Sequence, residues 1–206
     1  MKVAQEAGKN RREFLSAFLT LPALFFFEVS AGLKTFAGAR ELEPTPACGN
    51  DEDITPSQTP GPFYRPRSPE RRSLLEPDIQ GSGIVLQGRV LSAKCRPIPR
   101  VLLDFWHADA SGAYDNAGYR LRGHQFTDDK GRYRLETIVP GLYPGRTRHF
   151  HVKVQAASRP VLTTQLYFPG EPANRTDWIF NPKLLIALRD SAGGKVATFD
   201  FVLDVG

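Results

Sequence analysis

From residue 84 onward, apolar and polar positions alternate with the two-residue period of a β-strand. The pattern predicts strands at Ile84 to Leu91, at Val101 to His107 and over Arg132 to Thr137. Further strands are expected around His149 to Gln155, at Leu162 to Phe168, and from Val196 to Val205 as one closing strand. In the second, Val101, Leu103 and Phe105 share a face; in the last, Ala197, Phe199, Phe201, Leu203 and Val205 do. Asp128-Asp129-Lys130-Gly131 reads as a hairpin turn, Tyr119 to Phe126 as irregular, and Pro182 to Arg189 as a short helix. Many short strands at regular spacing, with no internal repeat, indicate an all-β chain folded as an antiparallel β-sandwich over residues 84–206.

The pattern changes upstream. Residues 40–83 are rich in Pro, Ser and Gly, and Thr55-Pro56-Ser57-Gln58-Thr59-Pro60-Gly61-Pro62-Phe63-Tyr64 reads as an extended arm. Each residue before a proline is steered away from the helical region. The arm is expected to run over the surface and bring Phe63 and Tyr64 to a groove, with one helical turn at Ser68 to Leu75. Residues 1–39 read as a twin-arginine-type signal peptide: Arg11-Arg12-Glu13-Phe14-Leu15, an apolar run to Phe27 broken by Pro22, then Ala37-Gly38-Ala39 as cleavage site. The run is too short for a membrane-spanning helix of ~20 residues. The expected location is therefore periplasmic or extracellular, with no membrane attachment once mature.

Composition adds two limits. The formal charge of the 206 residues is +5, but the first 39 carry five basic and three acidic residues, leaving 22 basic and 19 acidic. With no basic block interleaved with stacking aromatics, nucleic acid is not an expected partner. The only two cysteines, Cys48 and Cys95, are a candidate disulfide in an exported protein, stapling the arm to the first strand region.

The candidate chemistry centres on Tyr143-Pro144-Gly145-Arg146-Thr147-Arg148-His149-Phe150-His151. On a strand, His149 and His151 project together while Phe150, Val152 and Val154 point to the core. Two imidazoles on a rigid strand make good metal ligands. Tyr143, after the turn at Pro140-Gly141, can fold back to the same point, and Tyr114, in another turn, is the candidate fourth ligand. No Asp or Glu follows the histidines at close spacing, which disfavours a two-histidine, one-carboxylate ferrous site. His107 and His124 read as hydrogen-bonded structural imidazoles and Trp106 as core.

With these positions in place, the chain resembles the intradiol ring-cleavage dioxygenases, the family of protocatechuate 3,4-dioxygenase and catechol 1,2-dioxygenase, and most of all their small exported members. The resemblance runs from Thr55 to Leu203. It rests on Thr59 to Tyr64, on Arg96-Pro97-Ile98-Pro99 leading into Phe105-Trp106-His107-Ala108-Asp109, and on Gly112-Ala113-Tyr114. Arg122 to Asp128, Pro140 to His151 and Thr163 to Phe168 complete it. It implies a non-haem ferric ion, Fe(3+), held by Tyr114, Tyr143, His149 and His151. The implied partners are a small aromatic diol and O2, with both oxygen atoms inserted between the hydroxyl-bearing carbons to give a cis,cis-muconate-type diacid. It further implies that Tyr143 takes a substrate proton, and that Arg146 and Gln165 stabilise charge on the activated substrate. The long N-terminal helical segment through which cytosolic catechol enzymes dimerise has no counterpart, so any homo-oligomer is expected to form differently. The rival readings are a non-catalytic exported binding module and a zinc or copper protein built on the two histidines.

Overall fold

The computed structural model describes residues 54–205. The expected signal peptide and Cys48 lie outside the described residues. The strands are β1 (Gly83–Ser92), β2 (Leu102–Trp106), β3 (Arg122–Phe126), β4 (Arg132–Ile138), β5 (His149–Gln155), β6 (Leu162–Tyr167), β7 (Ala187–Ser191), β8 (Gly194–Thr198) and β9 (Phe201–Leu203). Two short 3₁₀ turns, Pro172–Arg175 and Pro182–Leu184, separate β6 from β7.

The strands form two sheets, one ordered β4-β1-β8-β7 with β9 also on β1, the other β3-β2-β5-β6. Their inner faces build one core: Ile84, Leu86, Val90 and Leu135 from the first meet Leu103, Phe105, Phe150, Val152, Val154 and Leu166 from the second. Alternation dictates this, because each inward apolar residue is followed by one facing out. The sandwich is mostly antiparallel, but β8 and β9 both run parallel to β1.

Five local expectations are corrected. The segment 119–126 is not irregular throughout: Arg122–Phe126 is a strand pairing β2 in register. Asp128 to Gly131 is a tight turn but not a hairpin, since β3 and β4 belong to different sheets. The closing strand is broken between β8 and β9, where the Asp200 carboxylate accepts the Arg89 backbone N–H at 2.7 Å and its side chain interrupts the ladder. The helix expected over Pro182 to Arg189 is one 3₁₀ turn. Ile186 N–H then donates to the Tyr167 carbonyl (2.9 Å), and Ala187 onward pairs with β8. Nor does Ser68 to Leu75 form a helical turn. It stays extended, bridging at Glu70 to His124 and at Ser73 to Glu136.

The arm is part of the architecture. Thr55 N–H donates to Val202 O (3.0 Å) and Gln58 N–H to Thr163 O on the β6 edge (2.7 Å). Further on, Arg71 N–H reaches His124 O on the β3 edge (2.8 Å) and Leu74 N–H reaches Glu136 O on the β4 edge (2.8 Å). It thus occupies edge groups of both sheets and, between β6 and β3, crosses the outer face that carries His149 and His151.

Candidate active site

That face is a cross-strand array. Register places Arg122, Trp106, His151 and Gln165 in one row across β3, β2, β5 and β6, and His149 beside Tyr167 in the next. The expected pairing of the two imidazoles is present: their Nε2 atoms lie 3.1 Å apart. Trp106 stacks flat on His151, with ring centroids 4.8 Å apart and 2° between planes. The tryptophan is core, as expected, and it also fixes the orientation of the second imidazole. His149 Nδ1–H donates to the Thr147 carbonyl at 2.6 Å, leaving its Nε2 with a free lone pair.

Two loops bring in the tyrosines. Gly112, at φ +89°, presses against the Leu142 carbonyl, leaving no room there for a Cβ. Gly141 lies equally close to the backbone of Ala110 and Gly112, and its N–H donates to Asp109 O (2.7 Å). Side chains at these two positions would force the loops apart. The contact sets Tyr114 edge-on to Tyr143, centroids 6.0 Å apart. Tyr114 Oη reaches to 3.3 Å from His149 Nε2. Tyr143 joins the group through ring contacts with Tyr114 and Phe63. Phe63 of the arm stacks on Tyr114 at 4.4 Å, and Tyr64 leans on Trp106 at 4.9 Å, so the arm meets the groove as expected.

Arg146 and Gln165 are also brought together. Arg146 Nη2 donates to Gln165 Oε1 (2.6 Å), and its Nε to Asp177 Oδ2 (2.9 Å). Gln165 Nε2 in turn donates to Thr59 O of the arm (3.0 Å). Arg148, next to the first histidine, points elsewhere and pairs with Glu171 at 2.8 Å.

The family model for dioxygenases, Dioxygenase_C, matches residues 60–205. The chain belongs to the intradiol ring-cleavage dioxygenase family. The solved dioxygenase domain of a dioxygenase carbohydrate-binding protein fusion from Streptomyces sp. SirexAA-E is 56% identical, with a TM-score of 0.73, covering 75% of this chain and 100% of its own. A 3-chlorocatechol 1,2-dioxygenase from Rhodococcus opacus is 29% identical with a TM-score of 0.68, covering 74% and 73%. A catechol 1,2-dioxygenase from Acinetobacter baylyi is 27% identical over 158 residues, 63% of this chain and 51% of its own. The chain spans about half the length of the curated relatives it matches.

Intradiol dioxygenases use a non-haem ferric ion, and the donor atoms here fit one. Ligands about 2.0–2.2 Å from a common centre stand roughly 2.8–3.6 Å apart when their bond angles lie between a right angle and tetrahedral. The 3.1 and 3.3 Å separations between His149 Nε2 and its two neighbours fall in that range. Burial holds His149 neutral, its pKa lowered to about 4, and keeps His151 well below the ordinary range, with the neighbouring His149, Arg146 and Arg122 adding to the effect. Neutral imidazole is the ligating form. Burial raises the Tyr114 phenol, with Arg146 and Arg122 opposing it; a bound trivalent cation reverses that preference. His151 Nδ1 is buried without a hydrogen-bond partner among the described residues. No group of three or more His, Cys, Asp or Glu lies among those residues in a metal-holding arrangement, so the fit depends on the tyrosines.

Four contributors were not legible in the sequence. Arg122, 2% exposed, donates to Phe63 O (2.6 Å) and to Asp115 O (2.7 Å), clamping the arm to the Tyr114 loop. Its place in a strand two residues from His124 was the available signal. Asp177, Thr147 and Gln58, whose Oε1 accepts from Tyr167 Oη at 2.7 Å, had none, because their partners lie far away in the chain or are backbone atoms. His107 and His124 are structural, as expected: His107 bonds Ala108 O and Thr137 Oγ1, both at 2.7 Å, and His124 bonds Ser68 O at 2.7 Å. A separate groove of about 530 Å³ over the other sheet, lined in part by Arg72, Arg89, Arg132 and Arg134, does not touch this group.

Proposed function

We propose that this chain is an exported Fe(3+)-dependent intradiol dioxygenase. It cleaves a catechol-type diol between its hydroxyl-bearing carbons with incorporation of both atoms of O2, giving a cis,cis-muconate-type diacid. The observation that carries the reading is the convergence of Tyr114 Oη and His151 Nε2 on His149 Nε2, at 3.3 and 3.1 Å, with the Tyr143 ring edge-on to that of Tyr114. The printed names of the relatives, catechol 1,2-dioxygenase and hydroxyquinol 1,2-dioxygenase among them, support the substrate class.

In this reading Tyr114, Tyr143, His149 and His151 hold the iron. When bound, the ion would supply Lewis-acid activation of the diol. The protein does the rest. Trp106 and the Thr147 carbonyl hold the imidazoles in ligating orientation. Tyr143, whose ring contacts Phe63 and Tyr114, would accept a proton from the incoming diol. Arg146, preset by Gln165 and Asp177, offers its guanidinium to negative charge developing on substrate oxygen. Phe63 and the arm cover the face and exclude water.

The test is a visible absorption spectrum of the iron-loaded protein, before and after anaerobic addition of catechol, followed by O2 uptake and product analysis. A broad tyrosinate-to-iron band that shifts with catechol, and a ring-opened diacid after O2, are expected. A colourless protein with no shift would overturn the four-ligand site and leave an exported binding module.

A further inference from the structure

The most buried ion pair among the described residues is not a fold staple between sheets. It sits behind the candidate site. The side chain of Asp177 is 1% exposed and that of its partner Arg146 13%. Asp177 lies in the loop after the Pro172–Arg175 turn, and each of its carboxylate oxygens is used. Oδ2 accepts from Arg146 Nε (2.9 Å) and from the Thr147 backbone N–H (2.9 Å). Oδ1 accepts from Ile179 N–H (3.0 Å) and so holds its own loop.

Those two Oδ2 contacts lead to the two working parts of the site. Arg146, gripped at Nε, has one orientation left for its Nη2, which meets Gln165 Oε1 at 2.6 Å and lies 3.5 Å from Tyr167 Oη. Thr147, gripped at its N–H, presents its carbonyl to His149 Nδ1 at 2.6 Å. The Thr147 hydroxyl is tied separately, to Asn174 Oδ1 at 2.6 Å. A single oxygen thus holds both the guanidinium that faces substrate and the N–H of the residue whose carbonyl, one peptide further on, fixes the tautomer of a metal-ligating histidine. No other carboxylate hydrogen-bonds Arg146 among the described residues.

We infer that Asp177 is a positioning residue of the active site, acting through Arg146 and Thr147 and without touching substrate or metal. The inference deepens the dioxygenase reading and rests on it for the catalytic consequence. The chemistry of the carboxylate is what the position requires. All three groups on the carboxylate are donors, two on Oδ2 and one on Oδ1. An amide at 177 has one accepting oxygen and no charge: its NH2 either meets the Ile179 N–H and loosens the loop that carries residue 177, or meets the Arg146 and Thr147 donors and gives up the convergence, and in both placements the ion pair with Arg146 is lost.

The test compares wild type, Asp177→Asn, Arg146→Met and the double variant, as full-length chains. Two readouts need no turnover. In metal-free, 15N-labelled protein, the Arg146 Nε–H is expected to give a slowly exchanging resonance in the wild type and to lose it in D177N. His149 is expected to carry its proton on Nδ1 in the wild type and to populate both tautomers in D177N. In the iron-loaded proteins, kcat with catechol is expected to fall roughly 10- to 100-fold in D177N, the scale of a misplaced catalytic group, with KM changed much less. The further loss on adding D177N to R146M should be several-fold smaller than the loss in wild type, because the two act in series.

Unchanged Arg146 exchange and His149 tautomer in D177N would overturn the inference, as would fully additive losses in the double variant. If D177N does not fold, Asp177→Glu retains the anion and moves it by one methylene. D177E is then expected to show the same loss of kcat with near-normal iron content, and wild-type kcat in D177E would overturn the inference. A wild type inactive on catechol would sink the functional reading alone, since the exchange and tautomer measurements still decide the positioning role.

Discussion

His149 shows how a single side chain is prepared for its work. Its Nδ1–H is committed to the Thr147 carbonyl at 2.6 Å and its Nε2 is aimed at His151 and Tyr114. His149→Ala is expected to lower iron affinity at least tenfold and to abolish turnover, read by metal content after dialysis against a chelator. Arg146→Met should leave iron content and colour in place while lowering kcat by roughly 10²–10³, the usual effect of removing one preset charge-stabilising donor. His107 illustrates the other fate of a buried imidazole. Burial lowers its pKa to about 4, and both ring nitrogens are bonded. A histidine with a depressed folded pKa stays neutral in the fold while the unfolded chain takes up a proton. Its contribution to stability is therefore full above pH ~6.5 and is lost as pH falls toward 4. The loss is on the order of 3 kcal/mol. Urea unfolding at pH 7 and pH 4.5 should show a smaller pH dependence for His107→Gln than for wild type.

At the scale of elements, the decisive contacts are between loops and strands that are distant in the chain. Gly112 and Gly141 let the Tyr114 and Tyr143 loops meet backbone to backbone. Gly112→Ala combines a left-handed φ of +89° with a clash on the Leu142 carbonyl. It is expected to destabilise the fold by roughly 1–3 kcal/mol and to weaken the tyrosinate band, through separation of the two loops. Thermal unfolding and the visible spectrum check these separately. The arm is a second such element. Its Phe63 stacks on Tyr114 and its Phe63 carbonyl is held by buried Arg122. The extended character of the arm was readable from Thr55-Pro56 and the Pro60-Gly61-Pro62 run. Its path across the histidine face was not, since that path is set by edge groups at Thr163 and His124.

For the molecule as a whole, the proposal of export makes a prediction outside the described residues. The exported protein should begin just after Ala39, and titration should find no free thiols if Cys48 and Cys95 pair. N-terminal sequencing and a thiol assay on the secreted fraction test both, and a mature protein that still begins at Met1 would refute export by this route. The sandwich itself followed from local pattern. Period-two alternation put Phe150, Val152 and Val154 inward and His149 and His151 outward, and each of these side chains is where that period places it. The resemblance carried by Tyr114, Tyr143, Arg146, His149, His151 and Gln165 named residues that the fold brings into one group. What alternation cannot encode is which strand lies beside which. The parallel pairing of β8 and β9 with β1, the passage of the chain between sheets at Asp128 to Gly131, and the row Arg122, Trp106, His151, Gln165 are products of sheet order. Asp177 belongs with them. It comes 31 residues after Arg146 in a loop without periodicity, and nothing local distinguishes it from a solvated turn residue. Only the packed structure removes water from around it. Its carboxylate then finds its hydrogen bonds in the Arg146 side chain and in the backbone of Thr147 and Ile179.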